Sequence, residues 1–148
     1  MFKIVTSFLI ILFVFTNIYA DEYFLTLRNE KVNLRQGPSF EYPIKLFYKK
    51  KFLPLLVQDE FENFRKVRDH ENNTGWVHIS QLSKKKAAII IDDNSYIYSS
   101  KTIYSKPLAV SKSGKLLLIK KCKDGWCKIS DRKITGWVKL KHLWGKTK

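Results

Sequence analysis

The chain has 148 residues, with 28 Lys and Arg against 13 Asp and Glu and a formal net charge of +15. That length holds one ordinary domain or two very small ones, and excludes doubly wound folds and large-cofactor enzymes. With 45% hydrophobic and 14% aromatic residues, the composition also excludes a chain too polar to bury a core.

The first element is a targeting segment. Lys3 precedes an apolar run from Ile4 to Phe15, broken only by Thr6 and Ser7, and the stretch closes on Ala20. A positive start, a short apolar centre and a small residue at the end predict a signal peptide over residues 1–20, cut to leave Asp21 at the new terminus. The competing reading is an uncleaved membrane anchor, and the run falls short of the ~20 residues that a span needs. No span is expected after cleavage.

From residue 21 onward the chain reads as strands. Val, Ile, Phe, Tyr and Trp fill short runs separated by turn chemistry at Gln36-Gly37-Pro38-Ser39, Asp69 to Gly75, Ser111 to Gly114 and Asp124-Gly125. The runs repeat. Thr74-Gly75-Trp76-Val77 returns as Thr135-Gly136-Trp137-Val138, and Val32-Asn33-Leu34-Arg35 aligns with Ser95-Tyr96-Ile97-Tyr98. A period near 60 predicts two tandem all-β units, residues 25–83 and 87–146, joined through Ser83-Lys84-Lys85-Lys86. Several strands in so short a unit suggest a small, partly open barrel.

Alternation assigns faces within those strands. If Val77 and Ile79 point inward, Trp76 and His78 point out; Val138 and Leu140 likewise leave Trp137 and Lys139 outside. Asn33 and Arg35 lie opposite Val32 and Leu34. Trp76 and Trp137 have two readings: stacking platforms for a ligand, or covers for the barrel edge and unit junction. Arg35 also has two: a bidentate grip on a ligand carboxylate, or a structural pair with Glu60 or Glu62. Gly75 and Gly136 are expected to permit a bend or bulge. Tyr42, Phe47, Tyr48, Tyr96, Tyr98 and Tyr104 are expected to enrich the loops with aromatic surface.

Asp124-Gly125 between strand-like residues is a two-residue hairpin signal. It sets Lys123 opposite Trp126 and Cys122 opposite Cys127. A facing pair of this kind suits a disulfide, as does export. Two Cys without neighbouring His or Cys do not make a zinc site.

The ordered set of motifs resembles bacterial Src-homology-3-like (SH3b-like) domains, in the exported two-repeat form found in Gram-negative bacteria. Val32 to Ser39, Tyr42-Pro43-Ile44, Leu53-Pro54-Leu55, Phe64 to Asp69 and Thr74 to His78 carry the likeness in the first unit. Gly125 to Ile129, Gly136-Trp137-Val138 and Leu143-Trp144-Gly145 carry it in the second. The resemblance implies two tandem SH3-like barrels, an envelope or periplasmic location and a binding role, with cell-wall peptide as the ligand by analogy. The second unit departs from the pattern: it lacks the Gly-Pro turn and has Tyr98 where the first has Arg35.

Enzymatic chemistry finds no support. Glu60 and Glu62, two apart on one expected strand face, are spaced ~6.6 Å like paired glycosidase carboxylates, but a ~60-residue barrel offers no deep cleft. His70, His78 and His142 lack metal-ligand spacing, and no cofactor is expected.

Charge is uneven. Residues 21–86 hold 13 bases and 9 acids, and residues 87–148 hold 14 and 4. Lys120, Lys121, Lys123, Lys128, Lys139 and Lys141 form an expected basic surface suited to anionic envelope polymers or lipid headgroups. Export and a Lys count of 23 against five Arg argue against nucleic acid. The sequence therefore predicts a non-enzymatic binding module. Candidate ligand contacts are Arg35, Tyr42, Trp76, Tyr98 and Trp137, and an envelope protein is the third class of partner.

Overall fold

A computed structural model describes residues 21–148; the predicted signal peptide lies outside the described residues. Among the described residues there is no α-helix, only two 3-10 turns, and no helix is long and apolar enough to cross a membrane.

The first unit comprises β1 (Tyr23–Leu27), β2 (Val32–Arg35), β3 (Ile44–Tyr48), β4 (Pro54–Phe61), β5 (Phe64–Arg68), β6 (Thr74–His78), a 3-10 turn (Ile79–Gln81) and β7 (Leu82–Ser83). The second repeats it as β8 (Ala87–Ile90), β9 (Ser95–Tyr98), β10 (Pro107–Ser111), β11 (Leu116–Lys123), β12 (Trp126–Ser130), β13 (Thr135–Lys139), a 3-10 turn (Leu140–His142) and β14 (Leu143–Gly145). Each unit is one seven-stranded antiparallel sheet, ordered β3-β2-β6-β5-β4-β1-β7 and β10-β9-β13-β12-β11-β8-β14. The orders are identical element for element. The fold is all-β with two tandem SH3-like units.

Local chemistry explains the connections. Asp124 (φ 54°) and Gly125 (φ 76°) both adopt positive φ, the requirement of the hairpin turn whose twist matches that of its strands. Lys123 therefore opposes Trp126 and Cys122 opposes Cys127. The two cysteines form a disulfide across a Cα separation of 4.0 Å. In the β5–β6 loop, Asp69 is only 2% exposed. Its Oδ1 accepts from the backbone N–H groups of Glu71 (2.9 Å) and Asn73 (2.8 Å), and its Oδ2 accepts from Asn73 Nδ2 (2.8 Å) and the Tyr48 hydroxyl (3.1 Å). One buried carboxylate thus closes the loop and ties it to β3, satisfying the oxygens that burial would otherwise leave unpaired.

Alternation places Leu34, Leu55, Val57, Val67 and Val77 in the first core, and Ile97, Leu117, Ile119, Cys127, Ile129 and Val138 in the second. Strand β8 breaks the pattern: all four of its residues are buried. Ala88 and Ile90 face the second core, whereas Ile89 joins the first, with Leu116 packed beside it. A strand covered on both faces reads as a continuous apolar run. The junction is completed by Trp144, whose ring meets Phe24 edge-on at 4.9 Å between centroids. Gly145 follows because a Cβ there would lie 2.6 Å from the Ala87 carbonyl oxygen and 2.9 Å from Pro54.

Candidate ligand-binding faces

In the first unit, Arg35 opposes Trp76, Trp76 opposes Lys66, and His78 opposes Phe64. Directly opposed residues point the same way, so these five side chains share the face opposite Leu34, Val67 and Val77. The β2–β3 loop folds back over this face. Arg35 Nη1 donates to the carbonyls of Phe40 (3.0 Å) and Tyr42 (2.9 Å), and the guanidinium lies 5.4 Å from the Phe40 ring centroid. Phe40, Phe64 and His78 form a triangle with centroid separations of 5.2, 5.0 and 5.1 Å. Phe40 remains 65% exposed at its apex. The His78 ring is fixed from behind, its Nδ1 accepting from the Ser80 N–H at 3.2 Å. Beside the triangle, Trp76 borders a groove of about 370 Å³ with Gln36, Lys45 and Lys66. Gly37 allows the Tyr42 ring to close over the loop, since a Cβ at Gly37 would fall 2.5 Å from that ring.

The equivalent face of the second unit is built from different residues. Tyr98 opposes Trp137, which opposes Lys128, which opposes Lys121; Lys139 opposes Trp126, which opposes Lys123. Tyr98 meets Trp126 edge-on at 5.7 Å. The Lys139 ammonium lies 5.7 Å from the Trp126 ring and that of Lys121 lies 5.9 Å from the Trp137 ring. Aromatic rings and ammonium groups alternate across the sheet. The structure thus gathers Lys121, Lys123, Lys128 and Lys139 with Tyr98 and Trp137. Lys120 sits at a register shift in β11 and Lys141 in the second 3-10 turn, so neither belongs to these rows.

Several expectations are corrected. Arg35 does not pair with Glu60 or Glu62. Glu60 pairs with Arg65 at 3.2 Å, and Glu62 occupies the β4–β5 turn at φ 47° instead of the strand. The chain bends into a 3-10 turn after His78, so Ile79 is 41% exposed rather than in the core; Leu140 is half-buried against the second core. Gly75 and Gly136 mark no bulge. They let β2 and β9 approach closely, since a Cβ would stand 2.7 Å from the Arg35 carbonyl oxygen and 2.8 Å from that of Tyr98. Phe47, Tyr48, Tyr96 and Tyr98 lie on strands, and Tyr48 is buried. At the junction the tryptophan is Trp144, edge-on to Phe24.

Phe40, Phe64 and Arg65 were not marked out by sequence. For Arg65 a signal exists: Glu60 faces Arg65 as Cys122 faces Cys127, so the ion pair occupies the hairpin position that the disulfide holds in the other unit. Both Arg65 and Cys127 point to the core side, opposing Val77 and Val138.

Among the described residues no group of three or more His, Cys, Asp or Glu is placed to hold a metal. The bacterial SH3 domain family matches residues 28–84 and 105–145. The chain belongs to this family. Among solved structures it is similar to NlpC2 from Trichomonas vaginalis, at 15% identity over 86% of this chain and 49% of that one, with a TM-score of 0.39. It is also similar to NlpC1 from Trichomonas vaginalis, at 16% identity over 94% and 51% with a TM-score of 0.39. The chain spans about half the length of either protein. No curated protein matches it in sequence.

Proposed function

We propose that the protein is a non-enzymatic binding module of the cell envelope, with residues 25–83 and 87–146 as its two modules, and that the first recognises peptide components of the cell wall. The observation that carries this reading is the cluster of exposed Phe40 with half-buried Arg35 and His78, seated on buried Phe64 beside the Trp76 groove. Arg35 spends Nη1 on two carbonyls of its own loop. Its remaining guanidinium donors suit a carboxylate, the group that a wall peptide carries. Phe40 and Trp76 offer aromatic faces to its aliphatic and amide parts. A disulfide-stapled second module fits an oxidising compartment outside the cytoplasm. Its alternating lysine and aromatic face favours a second, weaker role in holding anionic envelope polymers.

The test is co-sedimentation of the oxidised protein with purified cell-wall sacculi at low and high salt. Binding through the first module resists salt and falls about tenfold with Phe40→Ala or Arg35→Ala, the scale of losing one buried anchor. Binding that disappears at high salt and ignores both substitutions leaves only the lysine face. No binding at either salt overturns both and points to an envelope protein as partner.

A further inference from the structure

The end of the second barrel carries a pocket of about 320 Å³ that shares Lys121 and Lys123 with the lysine and aromatic face. Three segments distant in sequence converge on it: the inter-unit linker with Lys86, the disulfide hairpin with Lys123, and the C-terminal tail with Lys148. Leu140 and the Cys122 side of the bridge supply an apolar wall. Lys121 also borders the pocket, with its ammonium drawn toward Trp137. Lys146 lies alongside. Its amine is held below the ordinary lysine value by burial, then by the neighbouring Lys86 and Lys84. Six lysines thus crowd one end of the molecule.

Nearby acids do not neutralise them. The second unit has four acids. Asp124, at the pocket mouth, pairs with Lys101 at 2.7 Å. Asp131 pairs with Lys115 at 2.7 Å, Asp92 with His142 at 2.7 Å, and Asp93 accepts from the Ser113 N–H. Glu22 borders an adjoining pocket with Lys146 and Lys148, where it accepts from Gln58 and forms no ion pair with either lysine. Among the described residues, none of Lys84, Lys86, Lys123, Lys146 and Lys148 forms an ion pair. In the first unit the corresponding barrel end sets Arg28, Arg65 and Lys84 among apolar Leu25, Ile79 and Leu82; there Arg65 has its own acid in Glu60 and Arg28 donates to the Leu82 carbonyl. The larger lysine cluster is at the end of the second unit.

We infer that this pocket is an anion site for a phosphate group carried on a small polyol or a lipid head, held by Lys86, Lys123 and Lys148. A phosphate bridging linker, hairpin and tail would offset the lysine crowding, and Leu140 and the bridge would take the carbon body. Lysine, a mobile point charge with three donors, suits a phosphate approached from several directions.

The experiment titrates the full-length, oxidised protein with glycerol 1-phosphate, and separately with vesicles of phosphatidylglycerol in phosphatidylcholine, both at 0.15 M salt. Amide resonances of Lys86, Gly125 and Thr147 report on the soluble probe, and flotation reports on the vesicles. Two double variants of equal charge are compared: Lys86→Gln with Lys148→Gln, and Lys112→Gln with Lys133→Gln at the other end of the barrel. We expect the first pair to weaken binding about tenfold and the second less than about twofold, because a close ion contact outweighs a screened distant one. Response to glycerol phosphate assigns the site to a soluble phosphate; response to vesicles alone assigns it to a lipid head, with the same dependence on the first pair. Equal weakening by both pairs, or no response to either probe, overturns the site.

Discussion

Asp69 shows how much one side chain can organise. Its carboxylate is buried and accepts four hydrogen bonds, one of them from Tyr48. Burial, then the Asp69 charge, raises the Tyr48 hydroxyl well above its ordinary value. The folded chain therefore keeps a proton that the unfolded chain gives up near pH 10. The stabilising share of this group is complete below that pH and declines as pH rises above it. Tyr48→Phe is expected to cost about 1–2 kcal/mol near neutrality, since it strips a partner from a buried carboxylate. The gap between wild type and variant should narrow from about pH 9 to about pH 11 in denaturant titrations, as the wild-type hydroxyl begins to work against folding. A gap that stays constant over this range would mean that Tyr48 ionises in the fold as readily as in the unfolded chain. Lys146 runs the other way. Because its folded value is lowered, the charged form is the costly one, and its neutral substitute Lys146→Met should stabilise the protein below the ordinary lysine value and lose that advantage toward pH 10.5.

Among the elements, the two hairpins β4–β5 and β11–β12 carry the clearest lesson. They share a register shift and a turn position, yet one is fastened by an ion pair and the other by a covalent bond. The bridge closes a loop with a sequence separation of 5, and such a short loop limits its entropic effect to about 2 kcal/mol. Cys122→Ser with Cys127→Ser should lower stability by that amount, read by denaturation with and without reductant, while resonances of β1–β7 stay in place. The β2–β6 crossing has less tolerance. Gly75→Ala would drive a Cβ to 2.7 Å from both the Arg35 carbonyl oxygen and Leu34 Cγ. Backbone cannot yield as a side chain tip can, so about 2–3 kcal/mol is expected from melting temperatures, with loss of order in the Arg35 loop. This crossing explains part of what the sequence could reveal. Alternation over β2 and β6 was plain from Val32, Leu34 and Val77, and Asp124-Gly125 announced its turn. Ile79 was misread because alternation carries no mark of where a strand stops and a 3-10 turn starts. Phe40 was missed because its partners Phe64 and His78 lie on other strands, joined only once the sheet has formed. The pairing of Arg35 with Glu60 or Glu62 fails for the same reason in reverse: its partners are main-chain carbonyls a few residues away, which have no identity in the sequence.

At the scale of the whole molecule, the period near 60 disclosed two units, but not that they share a strand. Ala87 to Ile90 looks like the first strand of a separate barrel, and it is also a wall of the neighbouring one. Ile89, Leu116, Phe24 and Trp144 make the two cores meet. The units are therefore expected to unfold together. Trp144→Ala, which removes a large ring from the junction, should cost about 3 kcal/mol and split a single thermal transition into two, as scanning calorimetry would show. Persistence of one transition would place the coupling in β8 alone.

The unlike hairpin fasteners have a further consequence. Glu60–Arg65 is an ion pair that counterions screen; Cys122–Cys127 is indifferent to salt and responds to thiols. Salt therefore weakens the cross-strand fastener of one hairpin and leaves the covalent one in place. A reducing milieu does the opposite. The two fasteners thus answer to independent variables of the surroundings, ionic strength for one half of the chain and thiol for the other.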